Sequence, residues 1–260
     1  MRAPPVPKPD RPAGREWLRW YTCVACGARY ASWAAFRTHR AACRRRAASG
    51  PRPDPDGVRV AAAPPEVGWP AGAPATEEGR MTTPLEALLM IDAQMDLLGD
   101  PNPVPAARAV LIRLRALLAA ARAAGSLVVH LQNDGRPGAP DEPGTPGWAF
   151  HPDVAPEPGE AVLRKTTDDG FAGTPLGSLL EDAGVRRVAV AGLLSEMCVS
   201  ATVRAAVARG LGVVLVRDAH ATYPLDDIPA EVVSRVAEHA LGDEVELVPA
   251  TEVRFVAPSP

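Results

Sequence analysis

Arg187-Val-Ala-Val-Ala-Gly-Leu193 runs directly into Leu194-Ser-Glu-Met-Cys198-Val-Ser-Ala-Thr202, and this junction decides the fold. The first run is continuously apolar and β-rich, as a strand covered on both faces of a parallel sheet should be. From Cys198 to Arg209 the residues have helical spacing, and Gly210 supplies a stop. Cys198 is therefore expected in the first helical turn. There unpaired N–H groups and the positive end of the helix dipole favour thiolate over thiol.

Strand and helix alternate on both sides of this junction. Upstream, Leu85–Ile91 reads as a buried strand, 106–124 as a helix ended by Gly125, and Leu127–Leu131 and 161–164 as two further strands, followed by a helix over 176–183. Downstream, Val213–Val216 is the fifth strand, 229–241 a helix, and Val245–Val248 the last strand. This alternation predicts a Rossmann-like, three-layer α/β/α architecture around a mostly parallel six-stranded sheet. In such sheets ligands bind beyond the carboxyl ends of the strands. Three chemically active side chains fall at those ends: Asp92 after the first strand, Lys165 after the third and Cys198 after the fourth. A carboxylate can take the thiol proton, the sulfur can attack a carbonyl carbon, and an ammonium can hold the negative charges.

The pieces Ile91-Asp92-Ala-Gln94-Met-Asp96, Pro143-Gly-Thr-Pro-Gly-Trp148-Ala-Phe-His151-Pro, Lys165 with Phe171-Ala-Gly-Thr174, Gly192 to Thr202, and Asp218-Ala-His220 occur in one order. Together they make residues 82–255 resemble the isochorismatase-like cysteine hydrolases, which include nicotinamidases, N-carbamoylsarcosine amidohydrolases and ureidoacrylate amidohydrolases. The resemblance implies an Asp92, Lys165, Cys198 triad and a cis Leu193–Leu194 peptide. It also implies an oxyanion hole from the N–H groups of Leu194 and Cys198, and a thioester that water hydrolyses. It suggests a pocket drawn from Gln94, Trp148, Phe150, His151, Phe171 and His220, with the 133–159 loop over it. Relatives that cleave vinyl ethers by acid catalysis generally lack the cysteine, so the resemblance favours a C–N bond of a small amide or carbamoyl substrate. Vinyl-ether hydrolysis is the alternative. Nicotinamidases hold a metal through an Asp-x-His motif, whereas the corresponding region here reads His130-Leu-Gln132-Asn133-Asp134; no catalytic metal is expected. Self-association, common among such relatives, is expected too.

The first 52 residues are a different module. They hold 12 Lys+Arg against 2 Asp+Glu, so the other 208 residues carry a net −13 within a chain whose net charge is −3. Residues 1–16 read as a disordered basic tail. Residues 17–46 contain Cys23-x2-Cys26 and His39-x3-Cys43 with Tyr21, Tyr30 and Phe36 between and beside them. Two cysteines on a knuckle and a His/Cys pair on one helix face suit tetrahedral Zn²⁺, and the pattern resembles a ββα finger of the C2H2 type with cysteine as the last ligand. The positions that would read bases are Ser32, Ala35 and Thr38, which are poor readers. Arg37, Arg40 and Arg44–Arg46 leave weak, non-specific nucleic-acid contact open beside a protein-docking role. An adaptor protein with a non-catalytic hydrolase-like domain is thus the rival reading.

Residues 47–81 form a Pro/Gly/Ala-rich linker, with 7 Pro and 5 Gly between Ala47 and Arg80, and 256–260 form a tail. No apolar stretch approaches the roughly 20 residues that span a bilayer. The N-terminus lacks a hydrophobic signal core, and the cysteines cluster as metal ligands rather than disulfides. A soluble, cytoplasmic protein with no membrane partner is expected.

Overall fold

The computed structural model describes the backbone of residues 21–22 and 29–30 and all of residues 83–259. The chain divides into two units, Met1–Gly57 and Val58–Pro260. In the first, β1 (Tyr21–Thr22) pairs antiparallel with β2 (Arg29–Tyr30), Tyr21 opposite Tyr30. The expected zinc ligands Cys23, Cys26, His39 and Cys43 lie outside the described residues, as do the basic tail and the linker.

The second unit is built on a six-stranded sheet. Its strands are β3 (Ala87–Ile91), β4 (Leu127–Asn133), β5 (Ala161–Lys165), β6 (Arg187–Leu193), β7 (Gly212–Ala221) and β8 (Val245–Val248). They lie in the order β5-β4-β3-β6-β7-β8, and all five pairings are parallel. The helices are α1 (Met95–Leu98), α2 (Ala107–Ala124), α3 (Leu176–Asp182), α4 (Ser200–Val207) and α5 (Ala230–His239). The expected class holds, and the sheet is parallel throughout.

Strand alternation sorts the core into two layers. Leu88, Met90, Ala189, Ala191, Val214 and Val216 pack with Val110, Leu114, Leu117, Leu118 and Ala121 of α2. The intervening residues Leu89, Ile91, Val188, Val190 and Leu215 pack with Leu176 and Leu180 of α3 and Val203 and Ala206 of α4. Each layer removes a stripe of aliphatic surface from water, at about 25 cal/mol per Å². The α2 helix stops at Gly125, whose φ of 69° is left-handed and whose N–H returns to the carbonyls of Ala121 and Arg122.

Two differences from the sequence reading bear on the site. The β7 strand does not end at Val216 but continues to Ala221. Arg217 and Asp218 interrupt the apolar run, yet Asp218 is held by Arg113 Nε at 2.8 Å and by the Ala250 N–H at 2.7 Å. The strand absorbs the polar pair as an irregularity: Val190 faces Leu215, but Gly192 faces His220. The second difference is at the elbow, where a π-helical turn over Ser195–Val199 precedes α4. Cys198 thus belongs to a widened turn and not to the first turn of an α-helix.

One polar knot joins α2 to the edge of the sheet. Arg122 donates to both oxygens of Glu160, at 2.7 and 2.9 Å, and His130 Nε2 lies 2.9 Å from Glu160 Oε2. Burial would raise the Glu160 carboxyl, but these donors outweigh it and bring the group from 4.5 to about 2. Burial lowers the His130 imidazole despite Glu160 beside it.

Two stability outcomes follow from this architecture. Glu160 has a depressed folded pKa, so its contribution is present above pH 4.5 and is lost as pH falls towards about 2. The variant E160Q should be less stable at neutral pH and should show a flatter loss over that acid window in urea titrations. At Gly192, φ is 129° and an added Cβ would meet the Ile91 carbonyl oxygen. G192A should therefore lose more than the about 1–3 kcal/mol expected from backbone strain alone. G159A, at φ 96° with open space around it, should show only the strain, both read by chemical denaturation.

Candidate active site

The β3 and β6 strands are neighbours from which the connections diverge to opposite halves of the sheet, and their carboxyl ends open the crevice where doubly wound folds bind ligands. Asp92 follows β3 in a left-handed conformation, φ 47°, and its N–H bonds the Leu131 carbonyl at 2.9 Å. Aspartate tolerates this region better than most residues. Lys165 ends β5, two strands away, opposite Asn133 of β4 in the register. Cys198 arrives from the π turn after β6.

These three side chains meet. Lys165 Nζ lies 2.8 Å from Asp92 Oδ2 and 3.3 Å from Cys198 Sγ, and Asn133 Oδ1 is 3.4 Å from the same nitrogen. Asp92 and Lys165 are each 2% exposed and Cys198 is 9% exposed, so the ammonium bridges acid and sulfur out of bulk water.

Burial governs the electrostatics. It raises the Asp92 carboxyl, an effect that the Lys165 charge only partly offsets. Burial alone would lower Lys165, but Asp92 and Cys198 together hold its ammonium more strongly and push it up. The Cys198 thiol is pushed well up, by burial first and by the Asp92 and Asp168 charges next, with Lys165 opposing. Burial and the two carboxylates thus work against the thiolate expected at a helix start, and Lys165 works for it. In the low-dielectric site the neutral thiol beside an Asp–Lys ion pair is favoured, and the π turn does not present an α-helical N-terminus to the sulfur.

Asp168 was not foreseen: its Oδ1 lies 3.6 Å from Cys198 Sγ. Its loop is tied to α4, because Thr202 Oγ1 accepts the Gly170 N–H at 3.0 Å and approaches the Asp168 carbonyl at 3.4 Å. The doublet Asp168-Asp169, three residues beyond the lysine, was the sequence signal for it. Asn133 enters the sequence reading as the start of a loop and as part of the segment that lacks a metal motif, and the contact with Lys165 is a finding of the structure.

Leu194, one of the two expected oxyanion donors, precedes the π turn and is joined to Leu193 by a cis peptide. Its carbonyl accepts from Met197 and Val199, which folds the turn back toward the strand end. Phe171 is buried in the same apolar cluster as Cys198, beneath the Arg209 guanidinium at 4.4 Å from its ring.

Other expected pocket residues are engaged elsewhere. Gln94 Nε2 donates to the carbonyls of Asn133 and Trp148, and its Oε1 accepts the Asn133 N–H; a fully engaged amide clasps the loop and is not free to bind substrate. The Trp148 indole donates to Asp134 at 2.9 Å and lies against Arg164, 5.1 Å from its ring. Phe150 packs edge-on against buried His130, 5.5 Å between rings. His151 caps the short 3₁₀ turn at Pro152–Val154 and borders a groove with Leu98, Arg108 and Arg115, away from the triad. His220 is buried against Ser195. These five side chains stabilise the surroundings of the site, and the partners described for the polar ones lie outside the triad.

Comparison with known proteins agrees with this fold. The isochorismatase domain matches residues 86–240. A streptothricin hydrolase of Streptomyces noursei is 58% identical over 182 residues, covering 67% of this chain and 72% of that protein. A second streptothricin hydrolase of that organism is 57% identical, with 66% of its length covered. Among solved structures, an isochorismatase from Pseudomonas putida KT2440 superposes with a TM-score of 0.62 at 30% identity, covering 67% of this chain and 95% of that one. A cysteine hydrolase from Pseudomonas syringae pv. phaseolicola, at 22% identity and a TM-score of 0.60, shares the fold over 66% of this chain and 92% of its own. With its parallel sheet, its buried cysteine and a domain match over more than half its length, the chain belongs to the isochorismatase domain family of hydrolases.

Proposed function

We propose that this hydrolase cleaves a C–N bond of a small amide or carbamoyl compound through Cys198, Asp92 and Lys165. The observation that carries the reading is the Lys165 ammonium within 2.8 Å of Asp92 and 3.3 Å of Cys198. Asp92 takes the thiol proton as the sulfur attacks the carbonyl carbon, and Lys165 balances the charge that moves between them. The tetrahedral oxyanion is met by the N–H groups of Leu194 and Cys198. The proton on Asp92 passes to the leaving nitrogen, the C–N bond breaks, and a thioester is left on the sulfur. Water deprotonated by the Asp92 carboxylate then attacks the thioester carbon, and the thiolate departs and recovers a proton.

The similarity to two streptothricin hydrolases makes streptothricin the first substrate to try. A zinc-bound finger at Cys23, Cys26, His39 and Cys43, possession of a protein or weak nucleic-acid partner through residues 17–46, and self-association are further parts of the proposal. The first two rest on the sequence pattern, and the last on the habit of relatives that the sequence resembles.

The triad is tested by substitution and by mass. C198A and D92N should each lower kcat on streptothricin by at least about 10³-fold, and rapid acid quench of the native protein should trap an adduct on the Cys198 peptide. Unchanged turnover in C198A would falsify the mechanism. The pH profile tests the electrostatics. Hydrolysis needs an ionised Asp92, whose carboxyl burial raises, so kcat/KM should fall on the acid side at a pH above the ordinary aspartate value of 3.8. Removing the opposing charge in K165M should move that limb further up in whatever activity is left. A limb that stayed in place or moved down would show that Lys165 does not act on Asp92.

A further inference from the structure

Ser195 opens the turn that carries Cys198, yet it is 1% exposed. Its Oγ lies 2.8 Å from His220 Nδ1 and 3.0 Å from Ser234 Oγ of α5. On the far side of the ring, His220 Nε2 faces Glu238 Oε1 at 3.3 Å, and Glu238 Oε2 lies 3.7 Å from Arg217 Nε. The imidazole side chain is 1% exposed and the Glu238 side chain 11%. The main chain of Ser195 is fixed as well: its carbonyl accepts from Ser200 Oγ at 2.7 Å and from the Ser200 N–H. His220, Ser234, Glu238 and Arg217 border a cleft of about 730 Å³, so a chain of polar contacts runs from that cleft to the turn holding the sulfur.

A serine, a histidine and a glutamate in series suggest a second nucleophile, but the environment argues otherwise. The Ser195 hydroxyl is enclosed and held on two sides, with no path for a carbonyl compound. His220 Nε2 lies 3.3 Å from the Glu238 carboxylate without a hydrogen bond to it, while the other ring nitrogen, Nδ1, is hydrogen-bonded to the Ser195 hydroxyl. The hydroxyl is pinned between His220 Nδ1 and Ser234 Oγ, and so is the residue bearing it. Ser195 is covalently joined to Leu194 and lies three residues before Cys198, so it sits between the two N–H groups assigned to the oxyanion.

We propose that Ser195, locked by His220 and Ser234 with the Glu238 carboxylate behind the imidazole, is a positioning residue that holds the Leu194 and Cys198 N–H groups aimed at the tetrahedral oxyanion. The proposal rests on the thioester reading given above. The β7 irregularity is what makes it possible: Gly192 faces His220 where an uninterrupted register would continue from Leu215. The long strand that the sequence reading cut short thereby delivers an imidazole to the back of the elbow.

A positioning role has a signature that general destabilisation lacks, because donors aimed at an oxyanion matter only when an oxyanion forms. Alkylation of Cys198 by iodoacetamide is displacement at saturated carbon and forms none. Addition of the thiol to acetaldehyde gives a hemithioacetal oxygen in the oxyanion position. In S195A, kcat on streptothricin should fall about 10–100-fold with KM nearly unchanged, since one misaimed donor costs at most about 10²–10³. Acetaldehyde inhibition should weaken by a similar factor, while the alkylation rate and thermal midpoint stay close to those of the native chain. E238Q, which leaves no void, should show the same pattern more weakly. Equal losses in alkylation and in acetaldehyde binding, or wild-type acetaldehyde inhibition in both variants, would overturn the proposal. The acetaldehyde and iodoacetamide arms need no substrate. If native Cys198 responds to neither reagent, the nucleophile assignment itself fails; if it responds to both and S195A does not differ, only the positioning role fails.

Discussion

The buried contact between Lys165 and Asp92 is the constraint around which the hydrolase domain is organised. An ammonium that reaches no water is tolerable only beside a carboxylate, and removing either member of such a pair leaves an uncompensated charge at a cost of about 3–5 kcal/mol. The two residues end strands that are not neighbours, since β4 lies between β5 and β3. Lys165 must cross above the end of β4, where Asn133 receives it at 3.4 Å. The pair therefore requires three parallel strands to end at one level, which the hydrogen-bond register supplies. The sulfur completes the arrangement from the fourth.

The same burial that holds the pair together works against ionisation of the Cys198 sulfur. Cys198 is driven toward its neutral form by the dry site and by two nearby carboxylates, and Lys165 opposes them. The balance favours a mechanism in which charge is rearranged among three groups rather than held permanently on sulfur. Proton transfer from thiol to Asp92 leaves the net charge of the cluster unchanged, so it carries no penalty for bringing new charge into a low-dielectric cavity.

Around this centre the fold spends most of its polar contacts on holding loops. Gln94 clasps the segment that begins at Asn133 and returns at Trp148, Thr202 clasps the turn bearing Asp168, and Ser195 ties the elbow to β7 and α5. Irregular backbone close to a reactive sulfur has to be fixed by side chains, because it lacks the ladder of hydrogen bonds that fixes strands.

The strand–helix alternation, the six strands and the three reactive side chains at strand ends were legible because each leaves a local mark: an apolar run, a glycine stop, a polar residue where the run breaks. The continuation of β7 through Arg217 and Asp218 was hidden, since its polar residues are satisfied by Arg113 and Ala250, which are remote in sequence. Gln94, Phe150, His151 and His220 were read as pocket residues because amide, aromatic and imidazole groups near strand ends look alike in one dimension, whether they face a substrate or a neighbouring loop. Sequence by itself determined which groups exist and at which rim they project, because periodicity is a property of consecutive residues. Tertiary structure alone decided that burial opposes ionisation of Cys198, that Asp168 approaches it and that Ser195 meets His220, because electrostatics and polar pairing depend on burial and on distances between segments that the chain order does not encode.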